Sequence, residues 1–206
     1  MTSAPLRLLG LALITLFITG CGTTPPTRFY ALTAEAPMAD TQQDVSLNQP
    51  PSHKIIVGIG PIEVAPYLER NQIVTRSNGT RLNVIEFDRW AASIEDNIAG
   101  VLAINLSRQL PQTQPMVRPW PDAKAEYHVM VKFLQFDADE AGNVQLQASW
   151  GIQLRSTQDM PVIRDARIAL PSIGADYAAI TQNMSNALTG LSTQIATALR
   201  QQLTKN

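Results

Sequence analysis

The side chains able to do chemistry are few. One cysteine, Cys21, and two histidines, His53 and His128, are the only thiol and imidazole groups in 206 residues. His53 lies in a polar stretch and His128 in an alternating one, so no pair stands at a metal-ligand spacing. A single thiol builds neither an intrachain disulfide nor a thiolate-rich zinc site. Carboxylates gather at Glu86, Asp88, Glu95 and Asp96 beside Arg89. Two acids flanking a bond could cleave a glycan; the plainer account is a helix start with surface ion pairs. There is no Gly-x-Ser-x-Gly elbow for a hydrolase. Gly58-Ile59-Gly60 lacks the third glycine and the following helix of a phosphate loop, and Pro61 removes a backbone donor. The chain reads as a non-enzyme with no metal and no dissociable cofactor, and Cys21 is left as the reactive group.

The setting of Cys21 says what that reaction is. Leu8 to Ile18 is an apolar run interrupted only by Gly10 and Thr15, and it follows Arg7. At 1.5 Å per residue the run covers about 16 Å, short of the roughly 30 Å a spanning helix must cross, so it is an export signal and not an anchor helix. Ile18-Thr19-Gly20-Cys21 resembles the bacterial lipobox. Small residues let the peptidase approach the chain, and the thiol accepts diacylglycerol as a thioether. The expected organisation is a signal peptide over 1–20, a lipidated tether over 21–27 and one domain over 28–206. Diacylglycerol and an N-acyl chain on Cys21 would be the only non-protein groups. Each buried methylene adds about 0.8 kcal/mol, so three acyl chains anchor durably. Likeness to lipoproteins implies sorting to the periplasmic face of the outer membrane, because Gly22 stands where Asp would favour retention in the inner membrane. Residues 22–27 stretch at most about 20 Å.

Composition agrees with a compact domain. Hydrophobic residues are 45% and charged residues 16%, and a formal net charge of −1 provides no general attraction for nucleic acid.

The elements that must carry any site alternate between two periods. Arg28 to Leu32 reads as a short strand, and Thr33 to His53 as a polar loop. Lys54 to Val64 is apolar on both faces and reads as an inner strand covered on two sides. Asn78-Gly79 joins strands 72–76 and 81–87 in a hairpin. Trp90, Ile94, Ile98, Val101, Leu102, Leu106 and Leu110 form one helical face ended by Pro111, with Ser93 and Asp96 as a capping pair. Tyr127 to Phe133 and Val144 to Leu154 alternate as a hairpin that is wet on its glutamine face, and Val162 to Ala169 is a third strand. Tyr177 to Leu203 is a long amphipathic helix with few basic groups, which suits core packing better than a membrane surface. The fold class is α/β: a mixed sheet with antiparallel hairpins and two main helices packed on it.

Together these residues resemble a family. Arg28-Phe29-Tyr30-Ala31-Leu32, Ile59 to Arg76 with its Ala65-Pro66-Tyr67-Leu68-Glu69-Arg70, Glu86-Phe87-Asp88-Arg89-Trp90-Ala91, Glu95-Asp96-Asn97-Ile98, Pro119-Trp120 and the Trp150 strand are similar to PqiC-type ABC-transport auxiliary lipoproteins. Ala92-Ser93 departs from the Glu-Pro that relatives often carry at the helix start. The resemblance implies a fold like the amino-terminal domain of TolB-like proteins. It also implies a place in a Pqi-type lipid transport system, where the lipoprotein docks a PqiB-like, periplasm-spanning MCE protein at the outer membrane and supports membrane integrity. A homo-oligomeric ring at the tip of that ring-forming partner follows from the same resemblance.

For the partner surface, Pro66, Tyr67, Leu68 and Arg70 form a proline-rich turn, and Arg89 and Trp90 stand second. Exposed aromatic and arginine side chains anchor interfaces; the alternative is that Tyr67 and Trp90 belong to the core and Arg70 is a strand-end charge. Two other functions share these features: activation of a peptidoglycan synthase, and periplasmic lipid carriage, which needs an internal apolar cavity.

Overall fold

The computed structural model describes residues 24–35, 54–119, 125–156 and 161–204. The signal segment, Cys21, His53, Trp120 and most of the polar loop lie outside the described residues. Strands β1 (Arg28–Tyr30), β2 (Ile55–Glu63), β3 (Gln72–Ser77), β4 (Arg81–Trp90), β5 (Thr113–Val117), β6 (Tyr127–Asp139), β7 (Val144–Leu154) and β8 (Val162–Leu170) form one mixed sheet. Helices α1 (Ile94–Gln109) and α2 (Tyr177–Leu203) pack on it and on each other.

The sheet forks at β6. One edge of this strand is paired antiparallel with β7, which in turn pairs with β8. Its other edge is shared: β2 runs parallel to it as far as Glu63 opposite Lys132, and β3 joins it only at Thr75 opposite Ala138. Beyond β2 lies β5, and beyond β3 lie β4 and β1.

Local chemistry explains most elements. Asn78 (φ 50°) and Gly79 (φ 77°) both take left-handed backbone, the geometry that matches a two-residue turn to strand twist. In β6, Tyr127, Val129, Val131 and Phe133 point into the core, but the register shifts between Phe133 and Gln135, so Phe136 and Ala138 take over the inward positions. A bulge adds one residue and changes parity. Along α2, Ile180, Met184, Leu188, Leu191, Ile195 and Leu199 are all at most 2% exposed. Burying each such side chain stabilises by about 1.5–3 kcal/mol, which outweighs the small propensity differences along the helix. Its buried hydroxyls satisfy themselves locally: Thr181, Ser185 and Ser192 each donate to the carbonyl four residues back. Between the helices, Asn105 Nδ2 donates to Ser192 Oγ at 3.2 Å.

Three expectations change. The first helix starts at Ile94, not Trp90, which is the last residue of β4 and donates its N–H to Asn71 O at 2.6 Å. A strand end followed by a capped helix start reproduced the four-residue spacing of Trp90 and Ile94. Ser93 Oγ accepts from Asp96 N at 3.1 Å, and the Asn97 amide donates to Ala92 O and Ser93 O. Next, β2 is internal in the sheet, but its two faces are not equally buried: Val57 and Ile59 are buried in the core, whereas Ile56 on the other face is half-buried. Two glycines in the strand left little side chain there to hide. Finally, β5 is an extra strand, parallel to β2, whose Pro115 is tolerated at a sheet edge and hid it from a hydrophobic pattern.

Candidate functional site

The chain enters the fold through β1, the strand nearest the cysteine. Arg28 grips Asp88 with two bonds, Nε to Oδ1 at 2.7 Å and Nη2 to Oδ2 at 2.8 Å. Asp88 is buried, and its hydrogen bond and charge hold the Arg28 guanidinium pKa above its ordinary value. Burial first, and then Asp88, raises the Tyr30 hydroxyl as well, and Tyr177 at the start of α2 is raised for the same reasons. Beyond β1, Leu32 is buried in the core, Thr33 N donates to Ser185 Oγ of α2 at 3.0 Å, and Arg108 Nη1 of α1 donates to Ala34 O at 2.7 Å. Both helices thus hold the segment that a tether would pull on.

The proline-rich turn lies on the fork. Pro66–Leu68 is a single 3-10 turn, closed by Leu68 N to Ala65 O at 2.8 Å. Leu68 is driven into the core, while Pro66, Glu69 and Arg70 stay exposed. Tyr67 is half-buried, and its hydroxyl donates to Asp137 Oδ2 at 2.7 Å and accepts from Phe136 N at 3.4 Å. Arg76 Nη2 meets the same Asp137 oxygen at 2.6 Å, and its guanidinium lies 5.6 Å from the Tyr67 ring centroid. Gln135 Nε2 adds a bond to Oδ1 at 2.9 Å. Asp137 is a buried carboxylate at the fork, and three side chains from the turn, β3 and β6 satisfy it. Burial, reinforced by Asp137, pushes the Tyr67 hydroxyl up to about 12.

The six proposed contact residues therefore divide. Pro66 and Arg70 are exposed; Arg89 is half-buried with Nε bonded to Glu86 O; Tyr67 is committed to Asp137; Leu68 and Trp90, each 5% exposed, are core. Leu68 is not available to a partner, because the turn bends it inward, and for Trp90 the core reading is the one that holds. The residues that organise this region were missed as partners: Asp137, Arg76, Asp88 and Arg28. Each finds its partner about sixty positions away, and no local spacing marks such pairs.

The acidic group does not converge. Asp88 turns to Arg28, whereas Glu95 and Asp96 occupy the first turn of α1, where carboxylates favour the positive end of the helix dipole. Among the described residues no three His, Cys, Asp or Glu side chains gather to hold a metal ion, and no helix is long and apolar enough to cross a membrane.

The geometry is that of an entry strand tied to both helices and a turn tied to the fork of the sheet, with no converging set of catalytic groups among the described residues. The chain belongs to the family of ABC-type transport auxiliary lipoprotein components, which it matches over residues 30–196. Members of that family are auxiliary parts of transporters and not a class of enzyme, so the chain works with partner proteins. Its fold is similar to the crystal structure of an uncharacterized protein, with TM-score 0.68 and 17% identity over 85% of this chain and 99% of the other. It is also similar to the protein XCC0632 of Xanthomonas campestris, from the family DUF330, with TM-score 0.66 and 17% identity over 87% of this chain and all of the other. No curated protein matches the sequence.

Proposed function

We propose that this chain is the outer-membrane lipoprotein of a Pqi-type MCE system, fixed through acylated Cys21 and docking a periplasm-spanning MCE protein without bond chemistry of its own. The observation that carries the reading is the family match over 30–196, with a single cysteine in a lipobox directly upstream of it. The short stretch between Cys21 and Arg28 keeps the domain within about 25 Å of the bilayer surface. Arg28–Asp88 and the bonds of Thr33 and Ala34 give that tether a firm footing. Pro66 and Arg70 lie on the partner surface, and a ring of copies suits a partner that is itself a ring.

Co-purification tests it. The full-length lipidated chain, recovered in detergent from its own cells, should carry with it a protein with an MCE domain, and Arg70→Glu should reduce that recovery. Recovery of no MCE protein, even after chemical crosslinking in intact cells, would overturn the assignment.

A further inference from the structure

On the shared edge of β6, no described strand pairs residues 133–137, because β2 departs at Lys132 and β3 arrives at Ala138. The bulge at this point leaves Leu134 55% exposed although it belongs to the branching strand of the sheet. Between the bulge and the proline turn lies a hollow of about 550 Å³, walled by Val64, Ala65, Pro66, Phe133 and Leu134. Its rim is acidic, with Glu63, Glu69 and Glu95 against a single cation among the described lining residues, Lys132. Lys132 Nζ is 3.1 Å from Glu63 Oε2, so it compensates Glu63, and no described cation pairs Glu69 or Glu95.

A second hollow, of about 420 Å³, shares Glu63 and Lys132 with the first and extends across Pro61, Met130, Pro161 and Ile163. Gly151 forms its floor, and a Cβ there would stand 3.0 Å from Ile163 Cδ1. The two adjoin at Glu63 and Lys132 as one trough, apolar inside and negative at the end near the turn and the start of α1.

We propose that this trough docks a protein segment presenting apolar side chains flanked by lysine or arginine, with Leu134 and Pro66 meeting the apolar groups and Glu69 and Glu95 the cations. Opposite charge at the rim steers and selects such a segment, and the same carboxylates repel anionic lipid head groups, so the occupant is protein and not bilayer. This deepens the reading above, on which it rests for the identity of the protein that supplies the segment.

The test is photocrosslinking of the full-length chain in intact cells, with p-benzoylphenylalanine at Leu134 or, as a control on the helix layer, at Ile104, followed by sequencing of the crosslinked peptide by mass spectrometry. Leu134 should capture an apolar peptide with basic flanks, and Ile104 should not. Glu69→Lys with Glu95→Lys should cut the Leu134 adduct at least fivefold at unchanged circular dichroism, and Glu69→Lys alone, which leaves the helix start intact, should cut it less. No adduct at Leu134, or an adduct with lipid, with a second copy of this chain, or with an acidic or uncharged peptide, overturns the proposal. An adduct elsewhere with the MCE protein still co-purifying sinks the trough and spares the assignment; a basic, apolar peptide from a protein without an MCE domain does the reverse.

Discussion

The Tyr67 hydroxyl donates to Asp137 Oδ2 across 2.7 Å, joining the proline turn to β6 at the point where the sheet forks. Without that bond the turn would hold to the sheet chiefly through Leu68. Removing it should therefore cost stability before it costs binding. Tyr67→Phe keeps the ring beneath Arg76 and deletes one hydrogen bond to a carboxylate, a loss of about 1–2 kcal/mol at this half-buried site. Urea unfolding followed by circular dichroism measures it, and no change in midpoint would show the bond to be idle.

The same hydroxyl sets a pH dependence. Its ordinary value of 10.0 rises to about 12 in the fold, so the native state holds the proton more tightly than the unfolded chain. The associated stability is whole below pH 10 and is lost as pH climbs toward 12. Melting temperature measured across that window should fall more steeply for the wild type than for Tyr67→Phe. Parallel curves would contradict the assignment.

Helix α2 should dominate the folding energy. Leu188 and Leu191 are fully buried, so Leu188→Ala should destabilise by about 2–5 kcal/mol, whereas Ile104→Ala, at a position 47% exposed on α1, should stay within about 0.5 kcal/mol. Chemical denaturation of the two variants side by side gives the comparison, and equal losses would place the core elsewhere.

Two glycines should respond unequally to alanine. Gly79 has φ 77° with open space around it, so Gly79→Ala should cost about 1 kcal/mol from backbone conformation alone. Gly142 has φ 90° and lies against the Gly174 carbonyl and Ser172 Oγ, while its own carbonyl accepts from Asn183 Nδ2 at 3.2 Å. Gly142→Ala should lose at least about 2 kcal/mol, because strain and collision add. Differential scanning calorimetry ranks them; a milder effect at Gly142 would refute the packing described.

Replacing Cys21 by serine removes the proposed site of acylation and none of the described contacts. The variant should lose its acyl mass in intact-protein mass spectrometry and leave the membrane fraction, with the domain's thermal unfolding unchanged. A Cys21→Ser chain that stayed in the membranes would show that something other than the lipid holds it.

Much of this was legible along the chain. The Asn78-Gly79 turn, the alternation from Tyr127 to Phe133 and the stripe from Tyr177 to Leu203 are local patterns, and each produced the element it specified. Partner residues were not legible for a physical reason. A turn such as 66–70 is polar and apolar by turns whatever it faces, so burial of Leu68 and exposure of Pro66 depend on which strand passes beneath.

The amino-acid order by itself determined the periodicities and the capped start of α1, because these depend on neighbours within a few residues, and the family, through motifs spread along the chain. Tertiary structure alone decided that Arg28 meets Asp88, that Arg76 and Tyr67 meet Asp137, and that a one-residue bulge turns Leu134 outward into a gap between β2 and β3. Pairs separated by sixty or seventy positions are set by how strands are ordered in the sheet, and strand order minimises the free energy of the whole chain rather than of any segment.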